Sequence, residues 1–291
     1  MLTYYQDQIP PQTKMPDCHY LLVSDTYQGK QVGEIIQFWF KKQGLQVFIV
    51  EIKDLATKNR DNFRLAMSEL IEWCHKQLTD YKNSNYKVIF NLTGGLKSVQ
   101  GFLQTLGMFY ADECVYIFQF SSQLLSIPRL PINLDPEGIV GKKLTIFRKF
   151  ALNVPVKKEE CKTIPETLLF FLEEDQQVSW SEWGKLIWLE TKKRYYQEDL
   201  LPALSDKLVY SDEFKKQVKQ LNVSQPDRII LINNQCDKLS LYLDSNRQEN
   251  LNSLDFKPLT NSRVKGSTHE CDAWSDQDAQ RLDLLQKCFV V

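Results

Sequence analysis

A short polar loop in the first half of the chain carries the residues best suited to chemistry. Residues 91–98, NLTGGLKS, stand between an apolar stretch and an amphipathic one. Gly94 and Gly95 let the backbone approach a phosphate closely, while Asn91 and Thr93 offer hydrogen bonds. Lys97 falls in the first turn of the following helix, where a cation is unfavourable unless an anion binds there. The loop therefore predicts an anion-binding site.

The alternative interpretation is a plain strand-to-helix turn, in which the glycines only supply positive φ angles. Neither familiar nucleotide fingerprint fits the loop. Residues 95–98 end like a P-loop, but the earlier glycine of that motif is absent, and so is the pattern G-x-G-x-x-G. An ordinary ATPase or dehydrogenase is therefore disfavoured.

The elements around the loop alternate between strands and helices. Continuous apolar stretches predict buried strands at residues 19–24, 45–52, 86–90 and 114–118. Helices are predicted between them, at residues 63–78, at residues 99–109 and around an apolar face of Val32, Ile35, Ile36 and Trp39. Because neighbouring parallel strands need a crossover helix, this pattern predicts an α/β fold with a doubly wound parallel sheet covered on both faces.

The second half has a weaker pattern. Prolines interrupt residues 126–165, which we expect to be irregular. Residues 167–172 predict one more strand, Ser181 and Ser211 are expected to cap helices, and Pro226 to open a third helix. Short strands are expected at residues 254–259 and 268–274. We predict a first domain at residues 1–150, a connector at 151–200 and a smaller domain at 201–291.

Composition limits the kind of protein this chain can be. The net charge is -1, so nucleic acid cannot be held by a general basic field and any contact with it must be local. No apolar run is long enough for a membrane helix, and the first residues do not form a signal peptide, so a cytoplasmic protein without membrane contact is expected. The seven cysteines are scattered without a C-x-x-C pair, which predicts buried thiols and no metal site.

The N-terminal pattern resembles a known family. Residues 91–102, residues 125–131 and residues 19–33, which include Ser24-Asp25-Thr26 and Gly29-Lys30, look like the CARF domains of type III CRISPR accessory proteins. The resemblance implies a Rossmann-like sensor that binds cyclic oligoadenylate, with cyclic tetra-adenylate as the expected form and no other cofactor. The residues it assigns to the ligand are Ser24, Asp25, Thr26, Asn91, Thr93, Gly94, Gly95, Lys97 and Ser98. Some relatives also cut the ring, with the loop lysine near the scissile phosphates.

A homodimer joined through the sensor domains is also expected. A cyclic ligand with rotational symmetry is best matched by two identical loops that face it across an axis. Gly107, in the helix after the loop, is a candidate for close approach between two copies, or else a packing glycine.

Residues 201–291 resemble a RelE-type mRNA interferase, shortened at its end. The likeness lies in two helices followed by residues 256–259, 265–274 and 278–282. It implies an α+β domain that cuts mRNA, on or off the ribosome, by directing a ribose 2′-hydroxyl at the adjacent phosphate. Such a reaction needs a proton acceptor, a proton donor and cations. The expected catalytic residues are Lys265, His269, Glu270 and Arg281, with Trp274 available to stack on a base.

Three functions remain open from the sequence. The first is a sensor that activates a ribonuclease, the second a ring nuclease that uses Lys97, and the third a regulator that binds its ligand without catalysis. The alternative interpretation of His269 is a structural histidine, and that of the charged residues around it is a solvated face. Coupling between the domains is expected to pass through the apolar face of Trp183, Leu186 and Ile187.

Overall fold

The chain divides into two compact units, Met1–Leu134 and Asp135–Val291. The computed structural model describes residues 16–56, 59–95, 97–118, 123–129, 138–172, 176–245, 253–259, 266–274 and 280–284. Within these ranges, no helix combines the length and apolar character needed to cross a membrane. The sequence predicts a domain boundary at residue 150, whereas the two units meet after Leu134. Residues 151–200, the predicted connector, fall within the second unit.

The N-terminal unit alternates strands and helices in the predicted order. Its elements are β1 (Cys18–Ser24), α1 (Tyr27–Lys42), β2 (Gln46–Ile52), α2 (Arg60–Asn83), β3 (Ile89–Asn91), α3 (Lys97–Tyr110), β4 (Glu113–Ile117) and β5 (Leu124–Pro128). Strand β1 is parallel to β2, with Ser24 opposite Ile52, and β3 is parallel to β4. The predicted mixed α/β class with parallel strand pairs is confirmed.

Within the described residues, the hydrogen-bonded strands of this unit form two sheets. One contains β1 and β2, and the other contains β3, β4 and β5. Strand β5 lies antiparallel to β4, although residues from 126 onward were expected to be irregular. Proline lacks an N–H, but Pro128 stands at the end of β5, where a missing donor does not prevent pairing. A single doubly wound sheet remains a prediction.

Helix α2 buries the face that its sequence predicts. Ala66, Met67, Leu70, Ile71, Cys74 and Leu78 are all buried. Helix α3 buries Val99, Leu106, Gly107 and Tyr110. Gly107 is a packing glycine, because a Cβ there would collide with the Cys114 sulfur of β4. Its expected role in close approach between two copies is therefore not supported.

Helix α1 is turned differently from what its apolar pattern suggests. The predicted sheet-covering residues Val32, Ile35, Ile36 and Trp39 are exposed. Gly33 is the buried residue of the helix, and a Cβ on it would stand 2.6 Å from Val23 Cγ1 of β1. The close approach of helix and strand at Gly33 directs the apolar face away from β1.

The C-terminal unit combines helices with antiparallel strands. Its elements are α4 (Leu144–Ala151), β6 (Val156–Lys157), β7 (Leu169–Phe171), β8 (Gln177–Trp180), α5 (Glu182–Glu198), α6 (Asp212–Ser224), α7 (Pro226–Asp244), β9 (Lys257–Pro258), β10 (His269–Trp274) and β11 (Gln280–Leu284). The expected caps are confirmed, since Ser181 Oγ accepts from Gly184 N–H and Ser211 Oγ from Phe214 N–H. Pro226 is the first residue of α7.

Two apolar clusters hold this unit together. The first contains Phe147 and Phe150, together with Val178 and Trp188 from the predicted connector. The second joins α6 and α7 to strands β10 and β11. The described cysteines are free thiols, and all except the half-buried Cys18 are buried, as predicted.

Candidate functional site

The glycine loop lies in the predicted place, between the end of β3 and the start of α3. Strand β3 ends at Asn91 and α3 begins at Lys97. Gly95 has a φ of 114°, a value that favours glycine. A Cβ placed on either Gly94 or Gly95 would meet no atom within 4 Å. The space in front of the loop backbone is therefore open.

Hydrogen bonds from side chains hold the loop to its unit. Asn91 Oδ1 accepts from the Thr93 N–H at 3.1 Å, and Thr93 Oγ1 accepts from the Ile117 N–H at 3.1 Å. Gln100 Nε2 donates to the Leu92 carbonyl at 2.9 Å. The oxygens of Asn91 and Thr93 therefore shape the loop, which leaves donors, rather than acceptors, for a ligand.

The charge and exposure of the loop suit an anion. Thr93, Gly94, Gly95, Lys97 and Ser98 are exposed. Helix α3 has no acidic residue in its first turn, and its first residue is Lys97. The unpaired N–H groups of a helix start carry partial positive charge, to which the Lys97 ammonium adds.

The second predicted ligand group follows β1. Thr26 is the N-cap of α1 and accepts from the Gly29 N–H at 3.1 Å, and its hydroxyl lies 2.8 Å from that of Ser24. Gly29 permits this arrangement, because a Cβ there would collide with Ser24 Oγ. Asp25 lies between these residues and is half-buried.

The two groups stand at equivalent ends of their strands. Ser24 ends β1 and Asn91 ends β3, and each strand is followed by a helix. Hydrogen bonds join Ser24 to Thr26 and Asn91 to Thr93, but none described links one group to the other. Whether both contact one ligand stays a prediction.

The N-terminal unit also matches a known family. Residues 1–130 match the family model described as CRISPR-associated protein (Cas_APE2256). The matched range contains both predicted ligand groups, and it supports the CRISPR association expected from the sequence. Among solved structures, the chain resembles the crystal structure of protein VC1899 from Vibrio cholerae, with 11% identity and a TM-score of 0.29. That similarity covers 91% of this chain and 69% of the other.

The predicted nuclease residues lie on the strands of the C-terminal sheet. His269 and Glu270 open β10, and Arg281 lies on β11, which is antiparallel to β10. The Arg281 guanidinium donates to Glu270 Oε1 at 2.8 Å. The His269 ring stacks on Phe256 at 5.1 Å between centroids, and its Nδ1 lies 3.0 Å from Thr268 Oγ1. Lys265 lies outside the described residues.

Arg281 is surrounded by carboxylates. Besides Glu270, it contacts Asp255 at 3.1 Å and Asp272 at 3.3 Å. Lys257 and Arg281 together hold the pKa of Asp255 below its usual value, with Lys257 as the larger cause. The three carboxylates exceed the charge of these two cations, so an RNA phosphate would have to compete for Arg281.

Trp274 is buried, and the prediction that it stacks on a base is wrong. Its side chain belongs to the second apolar cluster, and the Arg228 guanidinium lies 4.8 Å from its ring centroid. Strict alternation along β10 would place Trp274 on the face opposite Cys271, but the pairing with β11 is irregular between Asp272 and Trp274, and both Cys271 and Trp274 belong to the same core. Among the described residues, no group of three His, Cys, Asp or Glu side chains is arranged to hold a metal.

A buried polar group escaped the sequence interpretation. Arg148 of α4 forms an ion pair with Asp237 of α7, and both side chains are almost fully buried. Tyr196 of α5 donates to the same carboxylate, while Arg148 also donates to the Pro202 carbonyl at 2.9 Å. Burial and the neighbouring Asp237 raise the pKa of Tyr196, so its hydroxyl remains a donor.

A signal for this group exists in α7. Asn233, Asp237 and Ser240 recur at helical spacing within an otherwise apolar helix, and all three are buried. Asn233 bonds the backbone of Tyr196, Asp199 and Leu201. Polar residues on the buried face of a helix are expected to have hydrogen-bonded partners, because burying a polar group without a partner costs free energy.

Proposed function

We propose that the N-terminal unit senses a cyclic oligoadenylate, with cyclic tetra-adenylate as the expected form. The observation that carries the proposal is the open, exposed backbone at Gly94 and Gly95, followed by the exposed Lys97 as the first residue of α3. Phosphates of the ring accept from loop N–H groups and from Lys97. Ser24, Asp25, Thr26 and Ser98 complete the proposed contacts. A Rossmann-like CARF fold is part of this proposal.

The proposed sensor is a homodimer. A ring of repeating adenylates presents the same chemistry on opposite sides, and two identical loops related by a two-fold axis match it. The proposed setting is a type III CRISPR response in the cytoplasm, where the ligand acts as the activating signal.

Replacement of the loop lysine tests the sensor. We expect Lys97→Ala to weaken binding of cyclic tetra-adenylate by about 1.5–3 kcal/mol, because a charge-assisted hydrogen bond to phosphate is lost. Titration calorimetry measures the change, with cyclic hexa-adenylate as a second ligand. Lys76→Ala is the matched control, since Lys76 is an exposed lysine of α2 in the same unit. Equal affinities of the wild type and Lys97→Ala would exclude this residue from the site.

The second proposed function is a RelE-like mRNA interferase in the C-terminal unit, activated when the sensor is occupied. The observation that favours it is the contact between Glu270 and Arg281 on paired strands, with His269 next to Glu270. In this proposal His269 and Glu270 exchange protons with the 2′-hydroxyl and the leaving oxygen, while Lys265 and Arg281 neutralise the phosphate.

One experiment separates the candidate activities. Purified protein is mixed with labelled cyclic tetra-adenylate and a labelled mRNA, with and without ribosomes, and both labels are followed. Ligand-stimulated mRNA cleavage that His269→Ala abolishes supports the interferase. Cleavage of the ring that Lys97→Ala abolishes supports a ring nuclease instead. Binding without any cleavage supports a regulator.

A further inference from the structure

Helix α1 presents an apolar face to solvent, which we call the outward face. Its members are Tyr27, Val32, Ile35, Ile36, Phe38 and Trp39, with exposed fractions of 80%, 52%, 67%, 37%, 61% and 40%. At 3.6 residues per turn these side chains fall within one half of the helix circumference. Val32, Ile35, Ile36, Phe38 and Trp39 adjoin one another on this face, whereas Gln28 and Gln31 separate Tyr27 from them. Single exposed apolar residues are ordinary, but a group of five adjoining ones marks an interaction site.

The opposite side of α1 fixes the helix in this orientation. Gly33 packs so closely on β1 that a Cβ would stand 2.6 Å from Val23 Cγ1. Gln37 Nε2 donates to the Val47 carbonyl of β2 at 3.1 Å. Lys30 pairs with Glu51 at 2.8 Å. Rotation of the helix to bury the outward face against its own strands would break all three contacts.

The size of the outward face suits a protein interface. Six large side chains with these exposures present on the order of 600 Å², if a fully buried aromatic side chain covers about 150–250 Å². This reaches the upper end of the largest apolar patch on an ordinary monomer, about 300–600 Å². A standard interface buries about 800 Å² per partner, so the outward face would supply most of one.

The charges of the helix favour an antiparallel pair of identical helices. Lys42 lies on the same side of α1 as the outward face, at the C-terminal end of the helix. Its ammonium lies 4.5 Å from the Phe38 ring centroid. In a parallel pair the two Lys42 side chains and the two helix dipoles would repel each other. In an antiparallel pair the lysines stand at opposite ends, and the dipoles oppose favourably.

We infer that a second copy of this chain covers the outward face, through two antiparallel α1 helices related by a two-fold axis. Such an axis brings the same surface of each copy together, so the apolar residues of one helix meet those of the other. The inference assigns a surface to the homodimer of the proposed function, but the contact itself does not require a ligand. Ile35, near the middle of α1, then lies close to the axis, whereas Lys42 lies far from it.

Sedimentation of the full chain without ligand tests this interface. We expect the wild type to sediment at twice the 34.1 kDa of one chain, and the double variant Ile35→Asp/Phe38→Asp to sediment as a monomer with at least tenfold weaker self-association. Leu65→Asp is the matched control, because Leu65 is 70% exposed on α2, outside this face. We expect that variant to remain a dimer. A monomeric wild type, or a double variant that stays dimeric, would overturn the inference.

Cysteine cross-linking gives a second reading that does not depend on disruptive variants. Ile35→Cys is expected to form a cross-link with its own copy in the partner, and Lys42→Cys is not, with the wild type as background for native cysteines. Equal cross-linking at both positions would indicate parallel helices and refute the antiparallel pair.

The variant Lys97→Ala separates dimerisation from ligand binding, because it should sediment as a dimer like the wild type. A failure of ligand binding therefore leaves this result intact, and a failure of dimerisation is seen without the ligand.

Discussion

At the scale of single residues, Gly94 and Gly95 play different parts in the proposed site. Gly95 has a φ of 114°, whereas Gly94 does not have a positive φ, and neither has an atom near its missing Cβ. An alanine at position 94 therefore meets no obstacle in the free protein. An alanine at position 95 is strained whether or not a ligand is present.

This difference yields a prediction that separates binding from folding. We expect Gly94→Ala to leave the free energy of unfolding unchanged but to weaken cyclic tetra-adenylate binding, because the added methyl group faces the space reserved for phosphate. Gly95→Ala should cost about 1–3 kcal/mol of stability through its backbone strain. Urea denaturation and calorimetry on both variants provide the measurements. Undiminished affinity in Gly94→Ala would argue for the plain turn.

Residue types could be assigned from the sequence, but their surroundings could not. The loop was identified because its glycines, hydroxyl and lysine follow one another directly. Arg281 was predicted to be a catalytic cation, and the sequence did not show that Asp255, Glu270 and Asp272 all pair with it. Glu270 and Asp272 lie on β10, Asp255 precedes β9 and Arg281 lies on β11, and pairing between strands depends on a register that local sequence does not specify.

At the scale of elements, helix α3 contains two glycines with opposite roles. Gly107 packs on β4, where a Cβ would collide with the Cys114 sulfur. Gly101 lies in the same helix, and a Cβ there would meet nothing within 4 Å. One glycine is required by packing, while the other only increases the flexibility of the unfolded chain.

Alanine at these two positions should shift stability in opposite directions. We expect Gly101→Ala to raise the free energy of unfolding by about 0.5–1 kcal/mol, because alanine favours a helix over glycine. Gly107→Ala should lower it by about 1–3 kcal/mol through overpacking against β4. Chemical denaturation measured by circular dichroism compares the two. A loss of stability in Gly101→Ala would mean that this face of α3 is covered.

Elements with a strong local signal were predictable, and those stabilised by distant partners were not. Ser181 and Ser211 cap helices α5 and α6, and Pro226 begins α7, as expected, because helix starts are set by local interactions. Strand β5 and helix α4 were missed in a segment broken by prolines. Strand β5 depends on pairing with β4, and α4 on the apolar cluster around Phe147. The orientation of α1 was missed because its periodicity reports a face, not what covers it.

At the scale of the whole molecule, the C-terminal unit is larger than the domain that the sequence outlines. Residues 138–200 hold one apolar cluster and residues after 200 the other, but Leu201 and Ile230 pack on the first. Arg148 and Asp237 join the two parts across 89 positions of sequence. Such a long-range pair leaves no local pattern, so the sequence alone does not show that residues on either side of position 200 share a buried ion pair.

The buried pair predicts how this unit responds to single and double substitution. Asp237→Ala would leave the Arg148 guanidinium buried without its counter-charge, and we expect a loss of about 3–5 kcal/mol in the free energy of unfolding. The double variant Arg148→Met/Asp237→Leu removes both charges and fills similar space, so it should recover most of that loss. Glu198→Ala, which breaks the exposed pair with Arg194, is the control and should cost no more than about 0.5 kcal/mol.

Urea denaturation followed by both tryptophan fluorescence and circular dichroism measures all three variants. Variants that keep either Trp188 or Trp274 as their single tryptophan report on the first and the second cluster, and both signals should change together if Arg148 and Asp237 bind the parts into one unit. A double variant no more stable than Asp237→Ala would show that the pair contributes hydrogen bonds that apolar residues cannot replace, most directly those to Tyr196 and Pro202. A small effect of Asp237→Ala alone would show instead that Arg148 reaches water, and that the two parts of the unit are held by apolar packing.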